Sequence, residues 1–189
     1  MKSLEHLSFL ALAAQKDASY HAAKDALQIR MLGQDYFVLH NGVFLHGQKA
    51  PESHSRVLID YLSSSGRTLI TIPWRPIGEF AGCSLTELKH TVEMPIASCI
   101  DEIIDRAPII LDMIDGEIAP SIINSDMSFT VPALPKVHLH IELAREIAEF
   151  PAEAWILFSR NANVFLEPAT IQMLCELFKE RILSCLRIY

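Results

Sequence analysis

Paired cysteines and glycine-rich loops are both missing from this sequence. Four cysteines are present, but they stand far apart and none belongs to a Cys-x-x-Cys pair. This spacing argues against a zinc ribbon, an iron–sulfur motif and a thioredoxin-type redox centre. The sequence also has no Walker or Rossmann glycine loop and no Gly-x-Ser-x-Gly elbow, so nucleotide hydrolysis, hydride transfer and α/β-hydrolase chemistry lack their usual motifs.

Positive charge is scarce as well. Sixteen Lys and Arg residues stand against 23 Asp and Glu residues, which leaves a formal net charge of −7. Binding to a phosphate backbone or to an anionic lipid surface needs clustered cations. We therefore expect neither nucleic acid nor a membrane as a partner.

Long hydrophobic runs are the third absence. The apolar stretch near the amino terminus is too short to span a bilayer, and Glu5 and His6 interrupt it. Its apolar positions recur at helical spacing, at Leu4, Leu7, Leu10, Ala11 and Ala14. This spacing predicts an amphipathic helix rather than a signal peptide, so we expect a cytoplasmic protein with free thiols.

What the sequence does contain is a large apolar fraction. Half of its 189 residues are hydrophobic, and the mean hydropathy is +0.24. Such a composition excludes disorder, and the length is that of one domain that buries a core without disulfide or metal staples. We predict a single domain over residues 1–189.

Strand and helix patterns are mixed along the chain. Strands are predicted at residues 28–32, 35–40, 43–46, 69–72, 119–124, 127–131, 137–143 and 154–158, the last buried on both faces. Helices are predicted at 51–65, from Ser84, from Pro95 and from Pro168. Asn41 and Gly42 predict a two-residue hairpin turn that would pair residue 40 with residue 43. The mixture predicts an α+β fold with a mainly antiparallel sheet and helices packed on one side.

The segment 137–143 carries the strongest chemical pattern. Because side chains alternate along a strand, His138, His140 and Glu142 share one face. Two imidazoles and a carboxylate at this spacing can hold zinc, iron or manganese. We name these three residues as candidate metal ligands, with a solvated strand face as the alternative.

An aromatic residue and a group of carboxylates are further candidates. Trp74 lies in a segment fixed by prolines, where an aromatic side chain can recognise a ligand or anchor the segment to the core. Carboxylates gather between residues 142 and 153, at Glu142, Glu146, Glu149 and Glu153. Such a group can do acid–base work, bind a cation or face solvent.

Short segments over nearly the whole chain together resemble a known family. They are LGQDY at 32–36, VLIDYL at 57–62, IPWRPI at 72–77, DMSF at 126–129, LPKV at 134–137 and EFPAEAWILF at 149–158. In these segments and their order the chain resembles the bacterial and archaeal family called domain of unknown function 3786. The resemblance implies an α+β domain without an assigned activity and a link to one-carbon or corrinoid metabolism in anaerobes. Ser159 stands where the family pattern usually has Asp.

Three hypotheses about function follow. The leading one is a module that binds a small molecule or a protein partner, with Trp74, Arg75, Asp126 and Glu149 of the matching segments as candidate ligand-binding residues. The second is a metal-dependent enzyme that uses the 137–143 strand, with Glu146 or Glu149 as acid or base. The third is a structural or homo-oligomerising subunit. The sequence specifies no cofactor.

Overall fold

The strands form two antiparallel sheets. The structure is a computed structural model that describes residues 8–187. In these residues, sheet A has the spatial order β1 (Ser19–His21), β2 (Ala26–Met31), β3 (Gln34–Leu39), β4 (Gly42–Leu45) and β5 (Gln48–Lys49). Sheet B has the order β6 (Arg75–Pro76), β10 (Glu153–Phe158), β9 (Val137–Ala144), β8 (Met127–Leu134) and β7 (Glu117–Ile118).

Between and after the strands, the chain forms α-helices. They are α1 (Phe9–Lys16), α2 (Glu52–Ser63), α3 (Leu85–Leu88), α4 (Met94–Ala97), α5 (Ile100–Asp105), α6 (Ala107–Ile114), α7 (Ala162–Phe165) and α8 (Pro168–Arg187). A π-helical turn, Lys89–Glu93, joins α3 to α4. No helix among residues 8–187 is long and apolar enough to cross a bilayer.

Buried side chains of α8 and of sheet B belong to the same hydrophobic core. α8 contacts α2, α4, α6 and α7, and its buried side chains follow the helical period. One face of β9 meets this core through four side chains that are fully buried: Val137, Leu139, Ile141 and Leu143. We call this the inner face of sheet B, and the opposite side the outer face. The outer face carries the polar side chains of β9.

The predicted α+β class with antiparallel strands is confirmed, and the strands divide between two sheets. The helix at 51–65 corresponds to α2, and the helix start at Ser84 is confirmed because the Ser84 hydroxyl accepts a hydrogen bond from the Glu87 N–H at 3.2 Å. Pro168 is the first residue of α8, as predicted. Leu4 and Leu7 of the predicted first helix lie outside the described residues.

The predicted register of the β3–β4 hairpin is wrong by one position. Leu39 pairs with Gly42, so His40 and Asn41 form the turn. Two consecutive residues with positive φ occur one hairpin later, at His46 and Gly47, with φ of 50° and 77°. That backbone is the type I′ turn, whose shape matches the twist of the flanking strands.

Two predicted strands are absent, and a third differs in burial. Residues 69–72 and 119–124 form no strand. Their backbone groups bond to side chains instead: the Ile70 N–H donates to Asn161 Oδ1 at 3.0 Å, and the Ile122 N–H donates to Glu142 Oε1 at 2.6 Å. In β10 burial alternates along the strand, so only one of its faces belongs to the core.

Candidate functional site

Glu142 is a buried carboxylate on the outer face of sheet B. Its side chain is 0 % exposed although it lies on the polar face of β9. The reason is the segment 119–126, which we call the covering loop, because it leaves β7 and crosses over this part of the face before β8 begins. The outer face is therefore not the solvated surface that strand alternation alone suggests.

The covering loop surrounds Glu142 with hydrogen-bond donors. Ser121 Oγ donates to Oε2 at 2.7 Å, the Ile122 N–H donates to Oε1 at 2.6 Å, and the Ser125 hydroxyl makes a further short bond to Oε2. Burial alone would raise the pKa of Glu142, but these bonds and one from His140 hold the pKa below its ordinary value. The carboxylate is therefore ionised at neutral pH.

His140 is held between this carboxylate and an indole. Its Nε2 lies 2.8 Å from Glu142 Oε1, and its ring stacks on Trp74 with centroids 5.2 Å apart and planes at 25°. His140 is 1 % exposed. Its second ring nitrogen, Nδ1, is buried and has no hydrogen-bond partner among the described residues. In the tautomer that donates Nε2–H to Glu142, Nδ1 carries a lone pair.

Strand register adds a second indole beside the pair. Trp155 of β10 lies opposite Glu142, and Leu157 lies opposite His140. On the other side, Ser128 and Thr130 of β8 take the equivalent positions. Both tryptophans of the chain therefore flank the His140–Glu142 pair on the outer face.

Trp74 is carried by a segment without regular structure. Residues 66–74, which we call the strap, form most of the connection from α2 to β6. Asn161 holds the strap with both ends of its amide: Nδ2 donates to the Thr68 carbonyl at 2.7 Å, and Oδ1 accepts from the Ile70 N–H at 3.0 Å. The Arg160 N–H adds a bond to the Thr71 carbonyl. The strap thus places Trp74 over His140 through few polar contacts.

The three predicted metal ligands are brought together only in part. His140 and Glu142 are in direct contact. His138 has other neighbours: burial lowers its pKa, while a hydrogen bond to the Pro135 backbone and the charge of Glu117 act in the opposite direction. Within residues 8–187, no group of three or more His, Cys, Asp or Glu side chains is placed to hold a metal ion. The predicted metal site has no support in this geometry and stays a prediction.

The four predicted ligand-binding residues take different positions. Trp74 joins the site, and Asp126 ends the covering loop, where its Oδ2 accepts from the Arg145 N–H at 2.7 Å. Arg75 pairs with Glu79 at 2.7 Å, and Glu149 is exposed in the turn between β9 and β10. The structure therefore gathers Trp74 with His140 and Glu142, and Asp126 supports the loop that covers them.

Sequence reasoning missed Ser121 and Ser125, which face Glu142. Their segment reads as a short strand because Ile122 and Ile123 are β-branched. The usable signal was the polar spacing Ser-x-x-x-Ser directly after Pro120 and before Asp126. Residues of these types form turns and donate hydroxyl hydrogen bonds.

The fold and the site define a class of protein. The class is an α+β protein with two antiparallel sheets, one of which holds a buried carboxylate–imidazole pair under a tryptophan. The model of the family "Domain of unknown function (DUF3786)" matches residues 8–181, and the chain belongs to this family. No curated protein and no solved structure matches the chain.

Proposed function

We propose that this protein binds a small molecule on the outer face of sheet B, at His140 and beneath Trp74. The observation that carries the proposal is the buried Nδ1 of His140, which has no hydrogen-bond partner among residues 8–187. A buried polar atom without a partner costs about 1–3 kcal/mol, so it calls for an explanation such as a bound molecule.

The surroundings of Nδ1 indicate the chemistry of the ligand. Because Nε2 is engaged by Glu142, Nδ1 can accept a hydrogen bond from a hydroxyl, amide or amine of the ligand. Trp74 and Trp155 supply flat apolar surface beside it. Binding sites for small molecules typically combine aromatic walls with a few oriented polar groups. A planar ligand with a hydrogen-bond donor fits this description.

Entry of a ligand requires a movement, because Nδ1 is sealed from solvent. Trp74 is the half-buried side chain that stacks on the ring, and the strap that carries it has no strand pairing before β6. We infer that the strap opens and that Trp74 closes on the bound molecule. Loops that close over ligands are drawn from the less stable parts of a fold.

A thermal-shift screen tests the proposal. The panel contains nucleotides, flavins, pterins and corrinoids, the last two because the family resemblance points to one-carbon and corrinoid metabolism. A ligand at one hundred times its dissociation constant stabilises a protein by about 2.7 kcal/mol. We expect at least one compound to raise the melting temperature of the wild-type protein.

Two variants show whether a hit uses the proposed site. In His140→Gln the amide can still donate to Glu142 as Nε2 does, but the Nδ1 acceptor is lost, so the shift should disappear. His90 is exposed on the π-helical turn, and His90→Gln should leave the shift unchanged. If every stabilising compound keeps its shift in His140→Gln, or if no compound stabilises the wild type, the proposed site is wrong.

A further inference from the structure

The outer-face site contains the parts of a general base: an imidazole nitrogen without a partner, and a carboxylate that fixes the other nitrogen of the same ring. The Glu142 carboxylate is ionised among its other donors and can only accept hydrogen bonds, so the hydrogen in its 2.8 Å contact with His140 belongs to Nε2. In this tautomer Nδ1 has no hydrogen and can take up a proton. A carboxylate in the same position orients the histidine that acts as the base in serine hydrolases.

Nδ1 of His140 lies on the side of the ring where the strap crosses. The two nitrogens of an imidazole point to opposite sides of the ring, so Nδ1 points away from the carboxylate and from the covering loop. On that side, two residues earlier in β9, the His138 carbonyl accepts from the Ser159 N–H at 2.8 Å. The next residue, Arg160, donates to the Thr71 carbonyl of the strap at 3.3 Å. Because Nδ1 is buried and has no partner among the described residues, movement of the strap would expose a nitrogen that no other group occupies.

Two neighbours stabilise the positive charge that the ring gains with a proton. The Glu142 carboxylate lies beside Nε2 and is held by the Ser121 and Ser125 hydroxyls and by a backbone N–H. Because these bonds are already in place, the carboxylate need not move when the charge appears. The indole of Trp74 lies against the ring with centroids 5.2 Å apart, within the distance at which an aromatic face attracts a cation. Both neighbours therefore favour the protonated ring.

We propose that His140 is a general base that removes a proton through Nδ1 from a planar substrate bound beneath Trp74. The inference rests on the proposed function, because the substrate reaches Nδ1 through the same opening of the strap. His140 is the catalytic residue, since it takes the proton, and Glu142 is a positioning residue, since it acts through the imidazole. The substrate class is a flat aromatic or heteroaromatic molecule that carries a weakly acidic hydrogen in the plane of its rings.

The probe 5-nitrobenzisoxazole reports on a base alone, because it is planar and reacts by losing one hydrogen from a ring carbon. When Nδ1 takes this proton, the electron pair of the C–H bond forms the third bond of a nitrile and the ring N–O bond breaks. The product is the coloured 2-cyano-4-nitrophenolate, and the imidazolium then passes its proton to water, so no further reactant is consumed. The analogue 5-nitroindazole has the same shape and a ring N–H, but its ring does not open, so it measures binding only.

We expect the wild-type protein to open the ring with saturation kinetics, and 5-nitroindazole to inhibit competitively. His140→Gln should lower kcat at least about 100-fold, because the amide still donates to Glu142 but places no base at the position of Nδ1. His90→Gln, at an exposed position, should leave kcat and KM unchanged. Glu142→Gln should lower kcat with little change in KM, because the glutamine amide can donate to Nε2 and so shift the ring hydrogen to Nδ1. Near-UV circular dichroism checks the fold of each variant.

The comparison of the two probes on the wild-type protein needs no variant, so the inference is tested even if Glu142→Gln unfolds. Binding of 5-nitroindazole without ring opening of 5-nitrobenzisoxazole would overturn the general base and leave the proposed binding site in place. Ring opening that persists in His140→Gln, or that falls equally in His90→Gln, would overturn it as well. If neither probe binds, the substrate class is wrong and the inference fails, while the thermal-shift panel decides the proposed function separately.

Discussion

At the scale of single residues, the unusual groups are buried charges held by several hydrogen bonds each. Glu142 is surrounded by donors from Ser121, Ile122, Ser125 and His140. Each bond to an ionised group is stronger than one between neutral groups. The carboxylate is thus satisfied by the protein itself, and its role is to fix the position and the proton arrangement of the imidazole beside it.

Glu142→Gln should lower the free energy of unfolding by about 2–3 kcal/mol, because the NH₂ group of the glutamine amide would face other hydrogen-bond donors. Urea denaturation measures this loss. Glu149→Gln, at an exposed position, serves as the control and should change stability by less than about 0.5 kcal/mol. An equal effect of the two substitutions would contradict the role given to the Glu142 carboxylate.

The same carboxylate predicts a pH dependence. The pKa of Glu142 is lower in the folded protein than its ordinary value. The carboxylate therefore stabilises the fold fully at pH values above the ordinary pKa of glutamate, and this stabilisation is lost as the pH falls through the pKa of the folded state. The difference in stability between wild type and Glu142→Gln should therefore shrink in acid. A difference that stays constant down to pH of about 2 would refute this reading.

Lys16 is a second buried charge. Its Nζ donates to Ser64 Oγ at 2.6 Å and to two carbonyl oxygens, and it lies 5.2 Å from the centre of the Tyr61 ring. Burial and, to a smaller extent, the nearby Lys136 lower the pKa of Lys16 to about 8. Near pH 7 the group is still an ammonium, which agrees with its three acceptors.

The lowered pKa of Lys16 sets the direction of a stability change in alkali. Between pH of about 8 and about 10.5 the unfolded chain holds this proton and the folded protein releases it, so stability rises with pH. Relative to Lys16→Met, the wild type should gain on the order of 2 kcal/mol over this interval. Chemical denaturation of both proteins at several pH values checks this. A fall in the free energy of unfolding of the wild type relative to Lys16→Met over this interval would contradict the prediction.

At the scale of elements, two irregular segments cover the site. The covering loop and the strap lie where short strands were predicted, and both cross the outer face of sheet B. β-propensity predicted strands because isoleucines are frequent in both segments. Neither segment pairs as a strand, because its polar backbone groups find partners on Glu142, Asn161 and Arg160.

Asn161→Ala should loosen the strap, because two hydrogen bonds to the strap backbone are lost. We expect faster amide hydrogen exchange at Ile70 and greater quenching of Trp74 by acrylamide. Trp155→Phe is the background for the fluorescence measurement, since it leaves Trp74 as the one indole.

The matched control for the strap is Asn163→Ala, two residues further along and exposed. It should alter neither the exchange of Ile70 nor the quenching of Trp74. If Asn161→Ala behaves like this control, the strap is held by something other than the Asn161 amide.

At the scale of the whole molecule, the two sheets are joined at the β2–β3 turn. The Leu32 N–H donates to the Ala133 carbonyl of β8 at 3.1 Å. Arg181 of α8 donates to the Leu32 carbonyl and, at 2.8 Å, to the Met113 carbonyl at the end of α6. One turn thus links sheet A, sheet B and two helices.

Gly33 is the residue that lets this junction close. It has a φ of 74°, and a Cβ at this position would lie 2.1 Å from the Met113 carbonyl oxygen. Gly33→Ala should therefore destabilise the protein by about 3 kcal/mol or more. Gly47 has nearly the same φ, 77°, but open space around it, so Gly47→Ala should cost only about 1 kcal/mol. Thermal unfolding of the two variants separates the effect of the close approach to Met113 from that of backbone strain. Equal losses of stability would show that the close approach contributes nothing.

The sequence by itself determined those features that depend on local pattern. Alternation in 137–143, the helical stripe after Pro168 and the capping pair Ser84 and Glu87 predicted β9, α8 and the start of α3, because period and capping act over a few residues. His140 and Glu142 were placed on a common strand face for the same reason.

Only the tertiary structure decided what covers that face. The contacts of Glu142 with Ser121 and of His140 with Trp74 span 21 and 66 residues along the chain, and no local pattern encodes which loop crosses which strand. The division into two sheets likewise depends on packing around α8 and on the turn at Gly33. Burial by distant segments turned a polar strand face into an enclosed site, because burial is a property of the packed chain and not of any single segment.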